Sequence, residues 1–144
     1  MIVHAGLIAQ RLGGFWRGVL IEGPSGAGKS DLALRALAQG FHLVADDRVL
    51  LWISGGRLYG RAPEVLKGAL EVRGVDVLAT SAVAMAAITL VARAGAPERI
   101  PGVQTISMLG VPLPSIELDL REASAPAKLS RALSLFDGAD KRRI

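Results

Sequence analysis

The chain has 144 residues, enough for one domain with a sizeable core, and its 51% hydrophobic and 21% charged residues are ordinary for a globular fold. With no cysteine it offers neither a disulfide nor a thiolate metal site, which fits a reducing, cytoplasmic compartment. The formal charge of +4 is scattered and aromatics are only 4%, so the basic stripe with base-stacking rings that nucleic-acid binding calls for is missing.

The N-terminus, MIVHAGLIAQRL, has no basic segment ahead of an apolar core and does not read as a secretory signal. A strand is expected over residues 2–10, a turn at Gly13-Gly14, and a second strand over 17–22 (RGVLIE) running into a glycine-rich segment. From Lys29 the pattern turns helical, with Leu32, Leu34, Ala36 and Leu37 on one side and Gly40 as the stop. Residues 41–45 then form a strand that ends in Asp46-Asp47.

Further on, apolar stretches at 49–53 and 57–59 flank Gly55-Gly56 as a hairpin, and 64–70 reads as a short helix after Pro63. Residues 77–92 are uncharged, but they are too few for a membrane span and are dominated by Ala, Ser and Thr. They read as a helix followed by a strand of core. Strands follow at 87–92, 105–109 and 115–118. A closing helix is capped by Ser124 and packs through Leu129, Ala132, Leu133 and Phe136. The sum is an α/β fold: one domain over 1–136 with a mixed sheet flanked by helices, and a polar tail over 137–144 carrying Lys141-Arg142-Arg143.

The segment GPSGAGKS matches the phosphate-loop pattern G-x-x-x-x-G-K-[ST] at Gly23, Gly28, Lys29 and Ser30. Each position has a physical reason. Across Gly23, Pro24, Ser25, Gly26, Ala27 and Gly28, glycine lets the backbone curl until successive N–H groups face an anion. The helix from Lys29 adds the positive end of its dipole. Lys29 can reach the outer phosphates of a nucleotide, and the Ser30 hydroxyl can ligate Mg²⁺. An apolar strand before the loop and a helix after it supply the context that a chance match lacks.

After the loop's helix, the strand at 41–45 must return the chain, which brings Asp46 and Asp47 beside the phosphates. Phosphoryl transfer needs such a carboxylate, either to accept a hydroxyl proton or to hold Mg²⁺. Neighbouring strand residues point to opposite faces, so only one of the two faces the phosphates unless the strand has already ended. Taken by themselves, His4 is a strand histidine, Glu71 and Arg73 share a strand face as an ion pair would, and Arg99 is a loop arginine.

GPSGAGKSDLAL, GFHLVADDRV and LEVRGVDVL at 70–78, with His4-Ala5-Gly6 and Glu98-Arg99, together resemble the catalytic domain of HPr kinase/phosphorylase. That bacterial enzyme modifies a serine of the phosphocarrier HPr. The resemblance implies a PEP-carboxykinase-like core, ATP and Mg²⁺ as cofactors, HPr or an HPr-like protein as partner, and a homo-oligomer, in the family a hexamer. It implies Asp47 as base in the kinase direction and acid in the reverse, with His4 close to it. Ser30 and Glu71 would hold Mg²⁺, Lys29 would stabilise the transferring phosphoryl group, and Arg99 would be the family's later catalytic arginine. Arg73 belongs to the motif.

Two departures bear on function. Full-length members carry a further N-terminal domain for which this chain has no room, as in the short form consisting of the catalytic domain alone. The family's basic, glycine-containing C-terminal motif, tied to dephosphorylation, has no clear counterpart in IELDLREASAPAKL. The expected function is an ATP- and Mg-dependent protein serine kinase, with phosphorolysis more in question than the kinase direction. The alternative is a non-catalytic ATP-binding regulatory module. A small-molecule kinase would carry an arginine-rich lid insert, which is not visible.

Overall fold

The computed structural model describes residues 1–136; the tail expected over 137–144 lies outside the described residues. In chain order the strands are β1 (Ile2–His4), β2 (Gly6–Leu12), β3 (Phe15–Glu22), β4 (His42–Ala45), β5 (Arg48–Ser54), β6 (Arg57–Arg61), β7 (Ala69–Val72), β8 (Asp76–Ala79), β9 (Ala86–Ala94), β10 (Thr105–Met108) and β11 (Val111–Leu118). Helix α1 (Lys29–Leu37) follows β3, and α2 (Ala125–Phe136) closes the described chain. The main sheet runs β1-β5-β6-β9-β3-β2-β4, with β11 alongside the second half of β9 and β10 beyond it. The pairs β3–β9 and β9–β11 are parallel and the others antiparallel, so the sheet is mixed as expected.

Both faces of the sheet centre are covered, which is why Val19, Leu20 and Ile21 of β3 are consecutive apolar residues and all buried. Val19 and Ile21 join Ile8, Leu43 and Leu90 against α1 (Leu32, Ala33, Ala36) and α2 (Leu129, Leu133). On the opposite face Leu20, Leu7 and Val44 meet Val49, Leu51 and Leu58 of the β5–β6 hairpin. Because β2 is antiparallel to both β3 and β4, the last two run in the same direction. The C-terminal ends of β3 and β4 therefore lie together, and the loop after one meets the acidic pair after the other.

The structure departs from expectation at several places, each with a local cause. The strand expected over 2–10 breaks at Ala5: β1 pairs with β5 while β2 pairs with β3 and β4. Continuous apolar character hides such a break, because fully buried Ala5 belongs to the same core as its neighbours. The short helix expected over 64–70 shrinks to one 3-10 turn, Glu64–Leu66. Gly68, at φ 75, then turns the chain into β7, which pairs with β8 in register Leu70↔Leu78. The helix expected at the start of 77–92 is thus a strand, stabilised by its hairpin partner. On α1, Leu34 faces outward, 37% exposed, and Ala33 takes the core position. Strand β11 starts at Val111, earlier than expected. Pro112 and Pro114, which cannot donate a ladder hydrogen bond, masked it although both have register partners on β10. Among the described residues, no helix is long and apolar enough to cross a membrane.

Candidate phosphate-binding site

β3 delivers the chain into the loop at Gly23. The loop tightens at once, with the Ala27 N–H donating to the Pro24 carbonyl at 3.0 Å. Gly28 caps α1 at φ 101, a left-handed conformation that a side chain resists. A β-carbon there would also sit 3.1 Å from Arg121 Cγ. Leu32 N–H donates back to the Gly28 carbonyl at 2.9 Å, closing the first helical turn, whose first N–H groups have no partner within the helix. The Lys29 ammonium donates to the carbonyls of Gly23 at 2.6 Å and Pro24 at 3.0 Å, holding the loop curled.

The two aspartates differ in burial. β4 ends at Ala45, and Asp46 turns inward, only 6% exposed. Its carboxylate accepts from Ser30 Oγ at 2.8 and 3.1 Å and from the Glu71 backbone N–H at 3.1 Å. Asp47 adopts φ 69, and its side chain, 69% exposed, lies 3.7 Å from Arg48 Nε. This left-handed residue reverses the alternation, so both aspartates border the same cleft of about 460 Å³. The loop (Ser25, Gly26, Gly28, Lys29, Ser30) forms one wall, the β7–β8 hairpin with Glu71, Val72 and Arg73 another, and Arg121 a third.

Of the residues singled out in the sequence, the structure brings together Ser25, Gly26, Gly28, Lys29, Ser30, Asp47 and Glu71 at this cleft. Gly23 and Pro24 serve it from beneath through Lys29. His4 is exposed on β1, opposite Arg48, and the Ala5 N–H donates to the Asp47 carbonyl at 3.2 Å. It therefore neighbours Asp47 along the backbone but is not a wall of the cleft. Arg99 sits in an exposed bend and does not line the cleft either. Glu71 lies on β7, whereas Arg73 falls in the hairpin turn, so the two do not share a strand face.

Sequence reasoning gave Asp46 no distinct role and passed over Arg121. The signal for Asp46 was the one-residue difference between a strand end and the left-handed residue after it, which sequence alone does not reveal. For Arg121 there was none, since 85 residues or more separate its segment from the α1 arginine that holds it.

Among the described residues no three acidic or imidazole side chains converge to form an all-protein metal cage. Mg²⁺ does not need one: it keeps waters and takes one or two protein oxygens plus phosphate oxygens. Ser30 Oγ–H donates to Asp46, which leaves the Oγ lone pairs available as acceptors, and Ser30 and Glu71 both line the cleft. A second cavity of about 480 Å³, walled by Trp16, Tyr59, Met85 and Phe136, has neither the loop nor a carboxylate pair.

Loop, helix terminus and facing carboxylates stand on a mixed sheet flanked by helices, a fold of α/β class. Residues 4–93 match the HPr Serine kinase C-terminal domain family, and the chain belongs to that family. It is 50% identical over 62 residues to an HPr kinase/phosphorylase of Brevibacillus brevis, a match covering 42% of this chain and 20% of that protein. The corresponding protein of Clostridium perfringens is 48% identical over 65 residues, covering 45% of this chain and 21% of the relative. The matched segments thus span about a fifth of these relatives' length. A solved structure described as the Hpr(Ser) kinase/phosphatase from Coxiella burnetii superposes with TM-score 0.76 over 92% of this chain and 93% of that one, at 24% identity. This likeness establishes the fold.

Proposed function

We propose that the chain is an ATP- and Mg²⁺-dependent protein serine kinase acting on HPr or an HPr-like carrier. The observation that supports this most is the contact of Ser30 with buried Asp46 beside solvent-facing Asp47, which sets a serine-orienting carboxylate and an exposed one beside the same loop. When bound, ATP would supply the phosphoryl group and Mg²⁺ would offset its charge.

The protein's own residues divide the remaining work. Backbone N–H groups of the loop and the N-terminus of α1 hold the phosphates, and Lys29 exchanges its loop carbonyls for phosphoryl oxygens. Ser30 and Glu71 hold the ion, with Asp46 fixing the direction of the Ser30 O–H. Asp47 takes the proton from the acceptor serine as the new O–P bond forms and the bond to the departing ADP oxygen breaks. His4 precedes Ala5, whose N–H donates to the Asp47 carbonyl, and this backbone link supports a role for His4 beside Asp47.

Incubating the protein with Mg-ATP and HPr, and following the carrier by mass spectrometry, tests the proposal. Phosphoserine on HPr is the expected product. Nucleotide binding without any transfer would instead identify a regulatory module.

A further inference from the structure

We infer that Arg121 is a phosphate ligand of this same site, a cation supplied from the far end of the chain. The inference rests on the proposed nucleotide-binding role of the loop and extends it. Three observations carry it. First, the Arg121 guanidinium donates to the carbonyl of Gly26, at the crest of the loop. Second, its side chain lies across Gly28, with Cγ 3.1 Å and Nε 3.4 Å from where a β-carbon would stand. An arginine so placed borders the same cleft as the loop.

Third, the segment bearing Arg121 is clamped to the loop's own helix. Arg35 on α1 donates to the carbonyls on either side of residue 121, Leu120 and Glu122, the latter at 3.0 Å. Arg35 is itself aimed by Asp31, one turn earlier, at 2.9 Å. Arg121 N–H donates to Asp119 Oδ1 at 3.1 Å, tightening the turn. The segment's other carboxylate, Glu122, is engaged by Lys128. α1 thus positions both the amides of the anion site and the arginine above them.

Lys29 and Arg121 both hold carbonyls of the loop, so two cations meet where polyphosphate belongs. Asp46, Asp47 and Glu71 line the same cleft, together with Asp31 and Arg73. As with Lys29, the carbonyl that Arg121 holds is a partner it exchanges for a phosphoryl oxygen, and its planar fork suits that anion better than an ammonium would.

The test is calorimetric titration of the full chain with Mg-ATP. Arg121→Gln is expected to weaken binding about 10- to 100-fold, as loss of a charge-assisted contact does. Arg121→Lys should recover much of the loss, and the deficit of Arg121→Gln should shrink at high ionic strength. The melting temperature of the ligand-free protein should stay where it is, since Arg121 is exposed. Equal affinity in wild type and Arg121→Gln overturns the inference while leaving the loop's role intact. No binding by the wild type overturns both. Weakened binding with a lowered ligand-free melting temperature and no rescue by lysine makes Arg121 a scaffold of the loop, and also overturns the inference.

Discussion

Asp46 offers the sharpest perturbation. It is 6% exposed and accepts from two donors, Ser30 Oγ–H and Glu71 N–H. Asp46→Ala orphans both. A hydrogen bond to a charged acceptor contributes about 1.5–3 kcal/mol net, and water from the cleft recovers part of it, so a loss of about 3 kcal/mol is expected. At roughly 3 °C per kcal/mol for a domain of this size, melting should fall by about 9 °C. Asp46→Asn is the more informative change. It keeps the volume and one acceptor, and should cost only about 1–2 kcal/mol. Its amide, however, reverses one donor–acceptor direction: the NH₂ group donates to Ser30 Oγ and occupies a lone pair the ion needs. Calorimetry with ATP, in EDTA and in Mg²⁺, separates the two effects. Affinity in EDTA should stay within about threefold of wild type, under ~1 kcal/mol, while the gain from Mg²⁺ is lost. If Asp46→Asn shows the full wild-type gain, Asp46 does not orient Ser30 for an ion.

Lys29→Met should weaken Mg-ATP binding by about 10-fold or more and loosen the loop, because Gly23 and Pro24 carbonyls lose their donor; isothermal titration checks the first, hydrogen exchange the second. Asp47→Asn should leave nucleotide affinity within about twofold and remove phosphate transfer, whereas unchanged transfer in a single-turnover assay would remove it as the base. Arg99→Ala, outside the cleft, should bind nucleotide as the wild type does; a defect confined to transfer would retain the catalytic role implied by the family resemblance. Gly60→Ala tests the fold instead: the new β-carbon would stand 2.7 Å from Leu7 Cδ2 and 2.9 Å from Val49 Cγ1, so urea melts should show a loss of about 1–3 kcal/mol.

What was legible in the sequence followed from local physics. The β3–loop–α1 unit announces itself because glycines, a lysine and a hydroxyl must stand at fixed spacing to curl a backbone round an anion, and these residues do. The return of β4 beside the loop followed from the need to come back after a helix, and the core face of α2 from the spacing of Leu129 and Leu133. Illegible features were those decided by distant partners. The break at Ala5 depends on β5, roughly fifty residues away in sequence, accepting β1 as a neighbour. The β7–β8 hairpin won over a helix because each strand supplies the other's hydrogen bonds, which intrinsic propensity does not register. Asp46 and Asp47 could be placed at the site but not told apart, since the left-handed backbone of residue 47 decides which carboxylate is buried. His4 and Arg99 were named through resemblance, and the fold puts neither on a wall of the cleft.

The most direct measurement is the mass of HPr after incubation with this protein and Mg-ATP, with Asp47→Asn run in parallel at matched nucleotide occupancy. One added phosphoryl group, mapped to a serine and absent with the variant, is the predicted outcome. An unmodified carrier under saturating Mg-ATP, or a carrier modified equally by both proteins, would contradict a mechanism in which this loop and the carboxylate beside it transfer phosphate.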